Sequence, residues 1–381
     1  MQHMLEEQMI QMVDLKAQYK RLKSEIDAAM MNVMESSNFI NGPAVKTFQS
    51  NLEQYLNVRH VVPCANGTDA LQVALMALGL KPGDEVITSS FTFIATVEVI
   101  GLLQLKPVLV DVDTETMTLI PEEVKKAITP KTKVVIPVHL FGQGANMEAI
   151  MHLAKKYGLY VVEDACQCLG AGFGTKRKKQ KLGTIGHIGC TSFFPSKNLG
   201  AFGDGGACFT NDDLLADRIR MLVNHGSREK YFHEVIGVNS RLDSLQAAIL
   251  DVKLKHLDDF NKRRQAAATY YDDVFKNIDE VAIPVIQGGS EHIYHQYTLR
   301  VLNGRRDDMF IFLKKQGIPA MIYYPQPLHK QKAFSAWIEN DLKLPNAERL
   351  SNEVISLPMH TELTEEQLDY ISTAVLSCFM A

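Results

Sequence analysis

The chain has 381 residues, enough to bury a large core and to suggest two domains, with 46% hydrophobic and 22% charged residues. A formal net charge of -4 excludes a protein that holds nucleic acid by bulk positive charge and directs attention to a small ligand. The six cysteines form no C-x-x-C pair, so neither a disulfide framework nor a zinc ribbon is indicated and no metal site is expected.

Residues 13–34 place Leu15, Tyr19, Leu22, Ile26, Met30 and Val33 at helical spacing with Lys and Glu between them, which predicts an amphipathic helix ending before Asn41-Gly42-Pro43. A second helix runs through Phe48, Leu52 and Tyr55, and residues 60–63 read as a short strand. An alternation follows: helix 69–78, strand 84–88, helix 93–105, strand 107–112, helix 122–128, strand 133–139, helix 147–157 and strand 159–163. Val134-Val135-Ile136 and Tyr160-Val161-Val162 are apolar on both faces, as buried parallel strands are, which predicts an α/β fold with a doubly wound sheet and right-handed crossovers. The basic stretch 176–181 reads as a solvated turn or a weak phosphate attractor. A strand is expected over 188–194 and a helix over 211–224. From Leu242 a long helical pattern runs through Phe260 toward Tyr271 and carries the expected boundary between a large domain, 1–253, and a smaller α+β domain, 254–381. In the latter, strands 295–301 and 320–323 and helices 307–315, 347–355 and 365–379 are predicted. The first residues lack a signal-peptide pattern and no apolar run is long enough to span a membrane, so a reduced cytoplasmic setting is expected.

Ligands of open α/β sheets collect at the carboxyl ends of the strands, and four places there stand out. Asn66-Gly67-Thr68 precedes a helix; it reads as a plain N-cap or as an anion site with a close-approach glycine and a hydroxyl. Phe93 is either core or a plate for a planar ligand. Asp164 ends the most apolar strand and needs a cationic side chain or a protonated ring nitrogen as partner. Lys197, five residues after Ser192, is either a solvated loop lysine or an amine placed to attack a carbonyl. Anion site, plate, carboxylate, hydroxyl and amine, each in or after its own strand, are together the parts that pyridoxal phosphate requires.

Those residues, with Val13-Asp14-Leu15, Gly83-Asp84-Glu85-Val86, Glu163-Asp164-Ala165-x-Gln167, Ser192-Phe193-x-x-x-Lys197-Asn198, Gly203-Asp204-Gly205-Gly206, Asn239-Ser240-Arg241-Leu242-Asp243 and Leu357-Pro358-Met359-His360, resemble the DegT/StrS-type nucleotide-sugar aminotransferases over nearly the whole chain. The resemblance implies the aspartate aminotransferase-like fold type I and pyridoxal 5'-phosphate as cofactor. By it, Lys197 attaches the cofactor and shuttles the proton, Asp164 holds the pyridinium, Gln167 contacts the ring, and Gly67, Thr68 and Ser192 hold the phosphate. It also implies a homodimer with shared sites, in which Asn239 reaches the partner's cofactor phosphate.

Thr191-Ser192-Phe193-Phe194-Pro195-Ser196-Lys197 and Tyr324-Pro325-x-Pro327-Leu328-His329-Lys330-Gln331 look most like enzymes that aminate a 3-keto sugar. The nearest act on UDP-2-acetamido-2-deoxy-3-oxo-glucuronate for bacterial surface polysaccharides such as O-antigen, with glutamate as amino donor. Tyr324 and His329 are then substrate contacts, and Arg241 is either a fork for the uronate carboxylate or a brace for the Asn239 loop. The dTDP-linked 3-keto- and 4-keto-6-deoxyhexose aminotransferases carry similar runs. Dehydratases of the family replace the lysine by histidine, a nicotinamide enzyme would need a glycine fingerprint absent here, and a non-enzymatic regulatory scaffold would not need every catalytic part.

Overall fold

The computed structural model of the chain describes residues 10–175, 178–339 and 341–380. Helix α1 (Leu15–Ser36) starts where the Asp14 carboxylate accepts from the Ala17 N–H at 2.8 Å, and α2 (Pro43–Leu56) opens on a proline whose missing N–H costs nothing in a first turn. Then come β1 (His60–Cys64), α3 (Gly67–Ala77), β2 (Glu85–Ser89), α4 (Ala95–Leu102), β3 (Lys106–Val110), α5 (Pro121–Ala127), β4 (Thr132–Ile136), α6 (Met147–Tyr157) and β5 (Tyr160–Asp164). They continue with β6 (Gly172–Thr175), β7 (Lys178–Lys181), β8 (Ile188–Ser192), β9 (Gly206–Thr210) and α7 (Asp213–Leu222).

The main sheet has seven strands in the order β1-β9-β8-β5-β4-β2-β3, and β9 alone runs against the others. Two-residue periodicity explains why its strands are apolar throughout. Val134, Ile136 and Val162 join Leu71 and Leu75 of α3 and Ile219 of α7 in one core, whereas Val135 and Val161 face Val124 of α5 and Ile150 of α6 on the other side. This is the doubly wound, mostly parallel sheet that the sequence predicts.

A hairpin of β10 (Ser227–Glu229) and β11 (Phe232–His233) precedes α8 (Ser244–Leu254) and α9 (Leu257–Phe275). The long helix expected here is thus interrupted at Lys255 and His256. The remainder consists of β12 (Val281–Ala282), β13 (Tyr297–Val301), α10 (Arg306–Lys315), α11 (Pro345–Glu353), β14 (Val354–Leu357) and α12 (Glu365–Met380). The order β12-β13-β14 makes a small antiparallel sheet, whose Leu299 and Ile355 pack with Tyr271 of α9, Leu313 of α10 and Ile371 of α12.

Other differences from the sequence reading are local. The strand predicted over 320–323 is reduced to a bridge between Met321 and Ser356. The strand predicted over 188–194 ends at Ser192, which frees the backbone before Pro195 for a tight loop. Within the basic stretch, Lys176 and Arg177 lie outside the described residues, and 178–181 is a hairpin strand rather than a solvated turn. There Lys179 pairs with Glu291, and Lys181 donates to the Gly170 carbonyl at 2.7 Å beneath the Tyr55 ring.

One buried cluster fixes the end of β5. Glu163 accepts from the backbone N–H groups of Gly183 (2.8 Å), Ile185 (2.7 Å) and Gly186 (2.6 Å), and from His139 Nε2 (2.8 Å). Because His139 Nδ1 accepts from the Ala145 N–H at 3.1 Å, the ring proton sits on Nε2 and points at the carboxylate. Glu163→Leu therefore strands three buried N–H donors, and we expect it to lower unfolding free energy by on the order of 3 kcal/mol or more. Urea denaturation of the apo-protein measures this, and an unchanged midpoint would contradict the role given to the cluster.

Candidate active site

A cavity of about 740 Å³ opens at the carboxyl ends of the parallel strands and is lined by residues from each of the four places after the strands. Gly67, Thr68, Phe93, Asp164, Gln167, Ser192, Lys197 and Tyr324 all face it. Asn239, Arg241 and His329 do not.

The phosphate-sized end is built by α3. Asn66 caps the helix by accepting from the Asp69 N–H at 2.8 Å, so the N–H groups of Gly67 and Thr68 are first-turn donors without intrahelical acceptors. A Cβ on Gly67 would stand 2.6 Å from Ser192 Cβ and 3.1 Å from Cys166 Sγ. Glycine is therefore required for the helix to press against the end of β8 and bring Ser192 to its N-terminus.

At the opposite end the Asp164 carboxylate is buried and accepts from Thr96 Oγ1 at 2.7 Å and from the Cys166 N–H at 3.2 Å. No lysine, arginine or histidine pairs with it among the described residues, which removes the cationic side chain from the two partners considered for it and leaves room for a ligand's protonated nitrogen. Thr96 has no sequence signal; it is an ordinary helix hydroxyl until the fold brings it under Asp164. Gln167 is oriented by both ends of its amide, accepting from the Phe141 N–H at 2.7 Å and donating to the Tyr324 hydroxyl at 3.3 Å. Phe93 is 53% exposed and its ring centroid lies 6.4 Å from that of Tyr324, so it forms a wall of the cavity and not part of the core, where Phe91 sits instead.

Lys197 enters between these ends. Burial lowers its ammonium pKa below the ordinary 10.5, and the nearby Cys166, Asp164 and Cys168 oppose that shift. The loop carrying it is fixed on both sides. Lys197 N–H donates to the Phe194 carbonyl (2.8 Å), Ala201 N–H to the Phe193 carbonyl (2.8 Å), and Asn198 Nδ2 to Asn261 Oδ1 (2.7 Å). From α8, Gln246 accepts the Phe202 N–H at 2.8 Å, and Lys253 donates to the Gly200 carbonyl at 2.7 Å. Lys253 is only 1% exposed, and burial brings its pKa down to about 8.

The three outlying residues have other surroundings. Arg241 Nε donates to Asn239 Oδ1 at 2.8 Å, the bracing geometry, with Asn239 exposed. Ser240 between them is buried and donates to Asp69 at 2.6 Å. The His329 ring contacts Ser90 Oγ at 2.6 Å and Glu348 Oε1 at 3.0 Å, so both nitrogens are engaged by groups outside the cavity lining.

A sheet of this topology, with an amine, a carboxylate, a helix N-terminus and an aromatic wall around one cavity, defines a fold type I enzyme of the pyridoxal phosphate class. The chain belongs to the DegT/DnrJ/EryC1/StrS aminotransferase family, whose profile matches residues 20–376. It is 47% identical over 364 residues to a pleiotropic regulatory protein of Geobacillus stearothermophilus, covering 95% of this chain and 96% of the relative. It is 44% identical over 367 residues to the UDP-2-acetamido-2-deoxy-3-oxo-D-glucuronate aminotransferase of Pseudomonas aeruginosa, covering 96% and 99%. The crystal structure of S. venezuelae DesV in complex with a ketimine intermediate superposes with a TM-score of 0.93 at 40% identity, over 97% of this chain and 98% of that one. The protein is a pyridoxal-phosphate-dependent sugar aminotransferase.

Two outcomes follow from the site's electrostatics and its supports. In the apo-protein, amine-specific labelling of Lys197 should reach half its maximum below pH 10.5, and Asp164→Asn should move that midpoint lower still, because the negative charge that favours the ammonium is gone. A midpoint that does not fall in Asp164→Asn would contradict the assignment. Lys253→Met frees one side of the lysine loop and should reduce kcat about tenfold while KM for the nucleotide sugar stays within about twofold. Steady-state kinetics decide this, and a change in KM alone would refute it.

Proposed function

We propose that the enzyme transfers the amino group of glutamate to C3 of UDP-2-acetamido-2-deoxy-3-oxo-glucuronate, in the synthesis of bacterial surface polysaccharide such as O-antigen, and that it works in the cytoplasm as a homodimer. The observation carrying the substrate is the 44% identity to the Pseudomonas aeruginosa enzyme over almost the full length of both chains. The observation supporting the dimer is that Asn239 is exposed and lies outside its own chain's cavity, as a residue serving a second copy would. The Tyr231 and Ile236 side chains, 78% and 90% exposed on the neighbouring β10–β11 segment, supply apolar surface for such a contact. We retain the division into a large domain, 1–253, and a small one, 254–381, as part of this proposal.

Pyridoxal phosphate, when bound, supplies an electron sink for the carbon that gains or loses the amine. The chain's own residues do the rest. The Gly67 and Thr68 N–H groups, with Ser192, would hold the phosphate, Phe93 would supply an apolar wall for the ring, and Asp164, steadied by Thr96, would favour a protonated ring nitrogen. The Lys197 amine, its ammonium disfavoured by burial, would hold the cofactor and move the proton at the reacting carbon. Gln167 and Tyr324, joined by their hydrogen bond, would be held in place beside it.

Purified protein should be yellow, lose that absorbance with glutamate and regain it with the keto-sugar nucleotide. Run in reverse with 2-oxoglutarate, it should prefer the UDP-linked 3-amino-uronate over dTDP-linked 3-amino- and 4-amino-6-deoxyhexoses. Lys197→Ala should fall by about 10⁴-fold or more in turnover. Preference for a dTDP sugar would overturn the substrate, and turnover without Lys197 would overturn the mechanism.

A further inference from the structure

Two polar side chains in the cavity are not used by the chemistry above. His295 and Gln296 line it and are 5% and 6% exposed, yet His295 Nδ1 and Gln296 Oε1 have no hydrogen-bond partner among the described residues. Buried polar atoms in folded proteins are met by protein, by ordered water or by a ligand, and these two belong to residues that line the cavity, where an occupant can meet them.

The backbone that presents them is held firmly. Arg264, itself buried, donates through Nη1 to the carbonyls of Tyr294 (3.2 Å), His295 (3.2 Å) and Met359 (2.9 Å). The Gln296 N–H donates to the Phe141 carbonyl at 3.3 Å, and the Ile293 N–H to that of Gly142 at 2.9 Å. The pair is thus pre-positioned and does not hang from a loose loop.

Its chemistry narrows what it can receive. Burial, reinforced by the cations Lys197 and Arg264, drives the His295 imidazole well below its ordinary pKa, so it is neutral. A neutral imidazole beside a neutral amide offers donors and acceptors but no charge, which suits a hydroxyl or an acetamido group and suits a carboxylate or phosphate poorly. His295, Gln296 and Lys197 line the same cavity, so a sugar held at the amine shares that space with the pair.

We propose that His295 and Gln296 form a subsite for the neutral oxygen or acetamido substituents flanking the keto carbon, so that they select the sugar ring independently of its nucleotide. The proposal rests on the sugar-aminotransferase reading. The competing occupant is water: Gln296 also borders a void of about 10 Å³ beside Phe141, Gln143 and Thr298, room for a single molecule.

The test separates the two half-reactions of the holoenzyme in His295→Phe and Gln296→Met, which keep approximate volume. Glutamate should still bleach the lysine-linked cofactor at a rate within about threefold of wild type, which also shows that the variants fold. The subsequent reaction with the keto-sugar nucleotide should slow by about tenfold or more, because the sugar's polar groups lose their partners. Calorimetry should show unchanged affinity for UDP, with the extra affinity of UDP-N-acetylglucosamine over UDP reduced about five- to tenfold. Unchanged sugar kinetics and affinity would mean that the pair holds water only, and equal losses in both half-reactions would mean general positioning; either overturns the subsite. A wild-type enzyme that glutamate fails to bleach would instead overturn glutamate as the donor, and one that no amino donor bleaches would overturn the aminotransferase reading on which the proposal stands.

Discussion

The architecture depends on two consecutive carboxylates at the carboxyl end of β5. Strand alternation sends Glu163 and Asp164 to opposite faces, and the fold treats them oppositely. Glu163 is enclosed by three backbone N–H groups and a histidine, so its charge is fully committed to holding the segment 183–186 against the strand. Asp164 receives one hydroxyl and one N–H, with no cationic side chain paired to it among the described residues. A buried carboxylate left that poorly compensated is costly unless a ligand completes it, and a protonated ring nitrogen does so.

The amine across the cavity follows the same logic with the sign reversed. Burial disfavours the Lys197 ammonium, while the loop that carries it is tied to α8 and α9 through Lys253, Gln246 and Asn261, so the group is both deprotonated more easily than a surface lysine and fixed in place. Cys166 also lines the cavity, but burial and the Asp164 charge push its thiol well above the ordinary value, so it stays protonated. Between the two candidate nucleophiles, the lysine is the one poised to react with an aldehyde.

Much of this was legible in the sequence because it follows from local rules. Apolar runs such as Val134-Val135-Ile136 identified buried parallel strands, and the residues after them identified the cavity, since parallel sheets gather ligands at those ends. What stayed hidden depends on long-range placement. Strand β9 follows Gly203 and Gly205 and begins at Gly206, and these glycines interrupt any strand pattern, although its Ala207 and Phe209 are core residues. Thr96 matters only through its distance to Asp164, and His295 and Gln296 only through the partners they lack. Lys253 did leave a trace: one helical turn after the buried Ile249 and between Val252 and Leu254, it lies on the apolar face of its helix, where a lysine requires a partner. Arg241 and His329 each have a partner within the chain that the motif alone does not reveal.

Borohydride reduction of the coloured enzyme followed by peptide mass mapping shows whether one amine, Lys197, joins the cofactor to the protein. If it does, the pyridoxyl-phosphate mass falls on the peptide containing Lys197 and on no other lysine peptide. The cofactor mass on another lysine, or unmodified Lys197 in fully reduced, cofactor-saturated enzyme, would contradict it.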